Sequence, residues 1–303
     1  GRNFLFIPRR LRYLGAVKPS IYNLSQDELA AFCKEAGQPA YRAGQVWQWL
    51  YLQFASEWPQ MKTVPKALLQ ALEEHFSLPS VKALQTEGPE GGTRKILAGL
   101  DDGECVEEVL LPSGDRNTVC VSCQAGCKFA CAFCASGQGG FQRHLSSGEI
   151  VGQVILAARA FGRRPDNVVF MGMGEPFDNY DEVLKAARTI NDQKGLCIGA
   201  RKITISTSGV IPGIRRLQEE GLQVELSVSL HAPENELRSR LMPVNKKYPL
   251  DSLIKACRAY VEKTRRIITF EYTLIKGLND SQAQADQLAR LLRSLQCRVN
   301  LIP

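Results

Sequence analysis

The chain has 303 residues, of which 44% are hydrophobic and 8% aromatic, enough to bury a sizeable core and to exclude a disordered or fibrous chain. No apolar run approaches the ~20 residues of a membrane span, so no membrane is expected among its partners. Thirty-eight Lys and Arg against 31 Asp and Glu leave a formal charge of +7, which suggests an anionic partner; ten cysteines without a visible secretory leader point to a reducing cytoplasm rather than a disulfide scaffold.

Residues 1–18 carry Arg2, Arg9, Arg10, Arg12 and Lys18 and no acid, an arm suited either to touching phosphates or to staying solvated. The chain opens on Gly1 and stops at Pro303, and both ends are expected to be incomplete. Residues 24–76 read as helices: Ser25 caps the stretch Leu29 to Cys33, Tyr41 to Leu50 forms an aromatic-rich amphipathic helix, and Lys66 to His75 a third. The aromatics of the second helix are expected in the core rather than on a base-stacking surface. The patch Glu87 to Gly92 reads as a loop and domain boundary, and Arg94–Leu100 with Cys105–Leu111 flank a hairpin turn at Asp101-Asp102-Gly103. From Asn117 onward strands alternate with helices, the strands at Thr118–Ser122, Val168–Met171, Lys202–Ser206, Val224–Ser229, Ile267–Leu274 and Arg298–Ile302. Ser146 and Glu149 have the spacing of a capping box for a helix running to Phe161. Pro212 and Gly221 bracket another helix as its first-turn proline and C-terminal glycine. The expected fold is α/β, an incomplete six-stranded parallel (βα)6 barrel over residues 117–303, with a helical accessory domain over 1–90 and a hairpin connector over 91–116.

The chemistry concentrates in Cys127, Cys131 and Cys134, spaced C-x3-C-x2-C with Phe133 before the third. Three thiolates from one tight loop hold three corners of a four-iron cluster and leave the fourth iron open to a ligand, as a reaction centre requires. Structural zinc is the competing reading, with Cys123 as a fourth thiolate, but no second C-x2-C pair follows and His75, His144 and His231 are the only histidines. Cys123 itself reads as a small buried residue. Ligands of parallel sheets sit at the C-terminal strand ends, where Gly172-Met173-Gly174-Glu175-Pro176, Ser206-Thr207-Ser208-Gly209, Ser229-Leu230-His231 and Asn300 all fall. Glu175 can accept from an ammonium, and glycines admit a close backbone approach. Each cluster taken singly is explained as a helix cap; four in register behind a three-cysteine loop favour a site.

From about Tyr41 to Pro303 the chain resembles the RlmN/Cfr family of radical S-adenosylmethionine (SAM) RNA methyltransferases, and within it the RlmN branch. The matching runs are Cys120-Val121-Ser122, Gly126-Cys127 to Cys134, Gly140-Phe141-Gln142-Arg143, Met171 to Pro176, Ser206 to Gly209, Ser229 to Pro233, Asn245-Lys246-Lys247-Tyr248 and Asn300 to Pro303. The resemblance implies a radical SAM barrel, an RNA-binding role for the N-terminal helices, and methylation of adenosine C2 in 23S ribosomal RNA and in some transfer RNAs. It implies that Cys127, Cys131 and Cys134 bind a [4Fe-4S] cluster, and that Gly174, Glu175, Ser206, Ser229, Leu230, His231 and Asn300 hold SAM. Glu107 matches the general base and Cys120 the thiol that resolves the RNA adduct. As partners it implies ribosomal and transfer RNA and an external one-electron donor such as a flavodoxin, with the protein acting as a monomer.

Adenine C2 is electrophilic, so polar methyl transfer from SAM does not reach it. In the family one SAM methylates a C-terminal cysteine, a second is cleaved reductively to generate a radical on that methyl, and a base and a second thiol complete the transfer. Strand alternation lets only one of Glu107 and Glu108 face inward, and spacing alone does not choose between them. No cysteine follows Cys297, which is not the counterpart of the methylated residue. The alternatives are C8 methylation in the manner of Cfr, a non-catalytic iron–sulfur relic that binds RNA, and an iron–sulfur or zinc RNA-binding module without SAM chemistry.

Overall fold

The computed structural model describes residues 18–303; the basic arm with Arg2, Arg9, Arg10 and Arg12 lies outside the described residues. Helices α1 (Gln26–Glu35), α2 (Arg42–Tyr51) and α3 (Lys66–His75) follow the expected segments. Ser25 and Glu28 close a reciprocal capping box, with the Ser25 N–H donating to the Glu28 carboxylate at 2.7 Å. The three helices bury Leu29 and Cys33, Val46, Trp47, Leu50 and Tyr51, and Leu68 and Leu72. Most aromatics of α2 are therefore core, while Tyr41 just before it stays exposed.

The remaining chain builds one nine-stranded sheet. Strands β1 (Val81–Glu87), β2 (Arg94–Leu100), β3 (Cys105–Ser113) and β4 (Arg116–Cys120) form an antiparallel meander. A side ribbon, β5 (Gln124–Gly126) and β6 (Phe141–His144), surrounds the short helix α4 (Ala135–Gln138). Then come α5 (Ser147–Phe161), β7 (Asn167–Phe170), α6 (Tyr180–Asn191), β8 (Ile203–Thr207), α7 (Ile211–Leu217), β9 (Glu225–Ser229), α8 (Asn235–Leu241), α9 (Leu250–Thr264), β10 (Ile268–Thr273), α10 (Gln282–Leu291) and β11 (Cys297–Ile302). The sheet order is β1-β2-β3-β4-β7-β8-β9-β10-β11, and from β4 to β11 all six strands run parallel. This is the expected incomplete barrel, with β1 and β11 the outermost strands among the described residues.

Three local expectations are corrected. The patch Glu87 to Gly92 is not a boundary but the turn between β1 and β2, so the sheet begins inside the segment read as helical. Helix α7 opens at Ile211, with Pro212 second, and stops at Leu217; Gly221, at φ +66°, lies beyond its Gln218 cap. Asn300 sits in the middle of β11 rather than at its C-terminal end.

The register divides the sheet into two faces. Val119, Val168, Phe170, Ile203, Ile205, Leu226, Val228, Ile268 and Phe270 point one way, at most 1% exposed, into the core formed with α5, α6, α7 and α9. Burial of these apolar strand faces against helices is the main term holding the barrel together. The opposite face carries Cys120, Ser206, Ser227, Ser229, Glu271 and Asn300.

Helix α5 joins the two parts of the molecule. At its start, Ser146 and Glu149 form the capping box and Asn23 accepts from the Gly148 N–H at 2.7 Å. At its end, Arg159 donates to the carbonyls of Phe54 and Ala55 at 2.7 and 2.5 Å. Arg143 clamps the β2–β3 turn to the same helix, reaching Asp102 at 2.5 Å and Glu149 through both terminal nitrogens at 2.9 and 2.7 Å.

Candidate active site

The three cysteines lie between β5 and α4 in a loop whose geometry is set by glycine. Gly126 has φ +76°, and a Cβ there would stand 1.9 Å from the Gly140 carbonyl oxygen. That carbonyl accepts from the Cys127 N–H at 2.9 Å, so the backbones on either side of the loop close on each other at its base. Farther along, Ala132 N–H donates to the Leu241 carbonyl at the end of α8 at 2.8 Å, and Phe133 meets the ring of His231 edge-on at 4.6 Å. Lys128 pairs with Asp178 at 2.6 Å.

All three cysteines are partly buried. Burial pushes the Cys131 thiol up to about 12, and neighbouring Cys134 and Cys127 push it the same way. Cys127 is raised by burial and again by Cys134. The three sulfurs thus share one electrostatic neighbourhood in which thiolates need a cationic partner. Among the described residues no three His, Cys, Asp or Glu side chains are grouped around a single point. A four-iron cluster is wider and takes one thiolate per corner, which this loop can supply. Cys123, 2% exposed, is the buried residue expected.

Glu175, 4% exposed, ends the loop after β7. One carboxylate oxygen accepts from the Phe177 N–H at 3.0 Å and the Thr207 hydroxyl at 2.7 Å; the other accepts from the Ser208 N–H at 2.6 Å. Three of about four acceptor positions are filled, leaving one for a ligand ammonium. Burial raises this carboxyl while those three donors hold it down. Beside it the Ser208 hydroxyl is buried without a partner. An acceptor position left open and an orphaned hydroxyl at one strand end fit an amino acid ligand such as the methionyl part of SAM. Gly174, at φ +102°, also leaves room for Gln124: a Cβ there would meet the Gln124 side chain at 2.6 Å. Gln124 in turn accepts from the Glu175 N–H at 2.9 Å.

Ser206 and Ser229 are half-buried on the polar face. Leu230 is fully buried, its N–H donating to the Glu271 carbonyl at 2.9 Å. His231 accepts at Nδ1 from the Thr273 N–H at 2.9 Å, which places its proton on Nε2. Burial lowers the His231 ring to about 4, with Arg238 acting in the same direction, so it stays neutral. Asn300 donates to Glu271 at 2.7 Å.

Register places the two neighbouring glutamates on opposite faces of the sheet. Val109 pairs with Cys120, so Glu107, two residues from Val109, shares the polar face with Cys120, while Glu108 points into the helix-covered core. Glu107 is exposed and paired with Lys95 at 3.0 Å. The Ser122 hydroxyl donates to the Glu107 carbonyl at 2.5 Å and accepts from the Met173 N–H at 2.8 Å, tying β3 to the loop that carries Glu175. Burial pushes the Cys120 thiol up to about 11.

Two residues went unforeseen. Glu271, 8% exposed, accepts from the Ser227 hydroxyl at 3.1 Å and from Asn300. Arg238, fully buried, donates to the carbonyls of Leu230, Ser208 and Ser229 and to Asn245. Neither stands in a spacing that marks it; the one available signal was that Ser208, Ser229, Leu230 and Asn245 each belong to a quoted run.

Residues 121–289 match the Radical SAM superfamily and residues 20–78 the ribosomal RNA large subunit methyltransferase N-terminal domain. A protein of Geobacillus kaustophilus named "Probable dual-specificity RNA methyltransferase RlmN" is 47% identical over 94% of this chain and 79% of its own length. A protein of the same name from Halalkalibacterium halodurans is 47% identical over 95% of this chain and 81% of its own. The chain belongs to the RlmN family of radical SAM proteins. A crystal structure of a radical SAM methyltransferase from Sphaerobacter thermophilus superposes with a TM-score of 0.91 at 47% identity, covering 94% of this chain and 85% of that one. The RlmN assignment fixes the cofactors as a [4Fe-4S] cluster and SAM and the barrel as a radical SAM barrel.

Proposed function

We propose that this protein is a radical SAM methyltransferase that adds a methyl group to C2 of an adenosine in 23S ribosomal RNA and in some transfer RNAs. The observation that carries the reading is one polar sheet face, behind the three-cysteine loop, bearing Glu107, Cys120, Ser206, Ser229 and Asn300 together. Two relatives named as dual-specificity RNA methyltransferases support the RNA substrate and its two classes.

Cys127, Cys131 and Cys134 hold the cluster, and Gly174, Glu175, Ser206, Ser229, Leu230, His231 and Asn300 surround SAM. The cluster and SAM supply hydrogen-atom abstraction, the chemistry that opens a carbon polar methyl transfer does not reach. Glu175 receives the SAM ammonium at its remaining acceptor position, and neutral His231 backs Phe133 of the loop. Glu107, freed from Lys95, takes the C2 proton. Cys120, its thiol pushed up by burial, attacks the sulfur of the cysteine that carries the transferred carbon. The sulfur–sulfur bond forms as the bond from that sulfur to the carbon breaks, and the carbon keeps the electron pair and takes a proton to become the methyl group on C2.

The electron comes from an external donor such as a flavodoxin. The proposed enzyme acts as a monomer in the cytoplasm; among the described residues no helix is long and apolar enough to cross a membrane. The test is anaerobic reconstitution of the full-length protein with iron and sulfide, then turnover with reductant, methyl-labelled SAM and a ribosomal RNA fragment, with the nucleosides read by mass spectrometry. Labelled 2-methyladenosine is expected. Labelled 8-methyladenosine, or no labelled nucleoside despite an intact cluster, overturns the reading.

A further inference from the structure

Arg238 is a charge without a charged partner. Its side chain is fully buried in α8, and among the described residues no carboxylate pairs with it. Instead the guanidinium spans two strand ends: it donates to the Ser208 carbonyl after β8 at 2.8 Å, to the Ser229 carbonyl of β9 at 2.9 Å and to the Leu230 carbonyl at 3.2 Å. The fourth bond goes to Asn245 at 2.9 Å. Gly209 packs flat against it, since a Cβ there would lie 3.1 Å from the guanidinium. The runs Ser206 to Gly209, Ser229 to Pro233 and Asn245 to Tyr248 therefore meet at one cation.

Neutral acceptors satisfy the hydrogen bonds of a buried guanidinium but not its charge, and an unpaired buried charge is costly. The helix that carries Arg238 is docked to the cysteine loop through Ala132 N–H and the Leu241 carbonyl, three residues farther along α8. Cys131, the residue before Ala132, is thereby tied to the helix that carries Arg238, and the guanidinium charge favours the thiolate of Cys131 and of Cys257 on α9. Three thiolates make the cluster they bind net anionic, and reduction adds a further negative charge. We propose that Arg238 is the fixed counter-charge of the iron–sulfur cluster, held rigid by four carbonyl-type acceptors so that it favours the reduced state. This rests on the assignment of the cluster to Cys127, Cys131 and Cys134. It accounts for the absence of a carboxylate beside Arg238, which would cancel the field. It also gives the Asn245 run a purpose, as a neutral acceptor on the far side of the guanidinium.

The experiment compares the wild type with Arg238→Lys, which keeps the charge, and Arg238→Gln, which removes it. Circular dichroism, iron content and the potential of the loaded cluster, followed by the spin resonance of its reduced form, are read for each. Arg238→Gln with full iron is expected to make reduction about tenfold less favourable, ~59 mV for one electron, while Arg238→Lys stays near the wild type. Should Arg238→Gln not fold, Cys257→Asp serves instead, because it leaves the guanidinium in place and sets a carboxylate within its field; the same drop is expected. An unchanged potential in fully loaded Arg238→Gln or Cys257→Asp overturns the proposal. Cys127→Ala separates the underlying assignment: a cluster of undiminished iron content there means the ligands themselves are wrong, whatever Arg238 does.

Discussion

Glu108→Met is expected to stabilise the protein, by more at high pH than at low. Glu108 is fully buried between Val106 and Leu110 on the core side of β3, and neither carboxylate oxygen has a hydrogen-bond partner. Burial raises its carboxyl well above the usual carboxylate range. A buried polar group without a partner costs about 1–3 kcal/mol, and methionine fills nearly the same volume without it. For a domain of this size that corresponds to a gain of roughly 2–12 °C in Tm. Because the folded-state value lies above the unfolded one, the native chain holds the proton longer as pH rises. The wild type therefore loses stability between the unfolded value near 4.5 and the raised folded value. The variant has no such loss, so its advantage widens between pH 5 and pH 8. Anaerobic calorimetric unfolding at both pH values reads the effect. A variant less stable than the wild type at pH 8, or an advantage independent of pH, would refute the reasoning.

Three further outcomes concern the site. Glu107→Gln is expected to lower methylation by about 100- to 10,000-fold, the usual contribution of a general base, with SAM cleavage retained; equal loss of both would remove Glu107 from the proton step. Glu175→Gln should weaken SAM binding by about 10- to 150-fold, equivalent to about 1.5–3 kcal/mol for a charge-assisted bond, without loss of iron. In the wild type, binding should weaken as pH falls from neutral through the raised value of that carboxyl, and calorimetric titration reads both. Gly126→Ala forces a Cβ to within 1.9 Å of the Gly140 oxygen at φ +76°, so reconstituted protein should contain little iron; a full complement would show that the loop opens without cost.

The parts of the fold that were legible are those where one local rule had no competitor. The capping pair Ser146 and Glu149 opens α5 and the periodicity carries it to Phe161. The six parallel strands announce themselves as apolar runs, since most are buried on the helix side and screened by helices. Strand β1 was not legible because it is an edge: only Val81 is buried, and the remaining six residues are exposed, so neither period appears. Gly221 misled because a glycine past a helix is read as its stop, whereas α7 already ends at Leu217. The cysteine loop was legible because its C-x3-C-x2-C spacing stands in the sequence itself. Arg238 and Glu271 were not, since a charged residue reads as surface until tertiary contacts bury it. The choice between Glu107 and Glu108 needed the pairing of Val109 with Cys120, which is a fact about a neighbouring strand.

Helix α5 has a consequence for how the molecule comes apart. Asn23 holds its first turn and the Phe54 and Ala55 carbonyls hold its last, while two residues before it Leu145 N–H donates to the Cys123 carbonyl at the base of the cluster loop. The three N-terminal helices are therefore not a free unit tethered by a linker. Opening them exposes both ends of a helix that lines the barrel core, so the amides of α1 to α3 should exchange with deuterium in step with those of α5. An RNA that seats on the N-terminal helices pulls on the same strut that carries the cysteine loop.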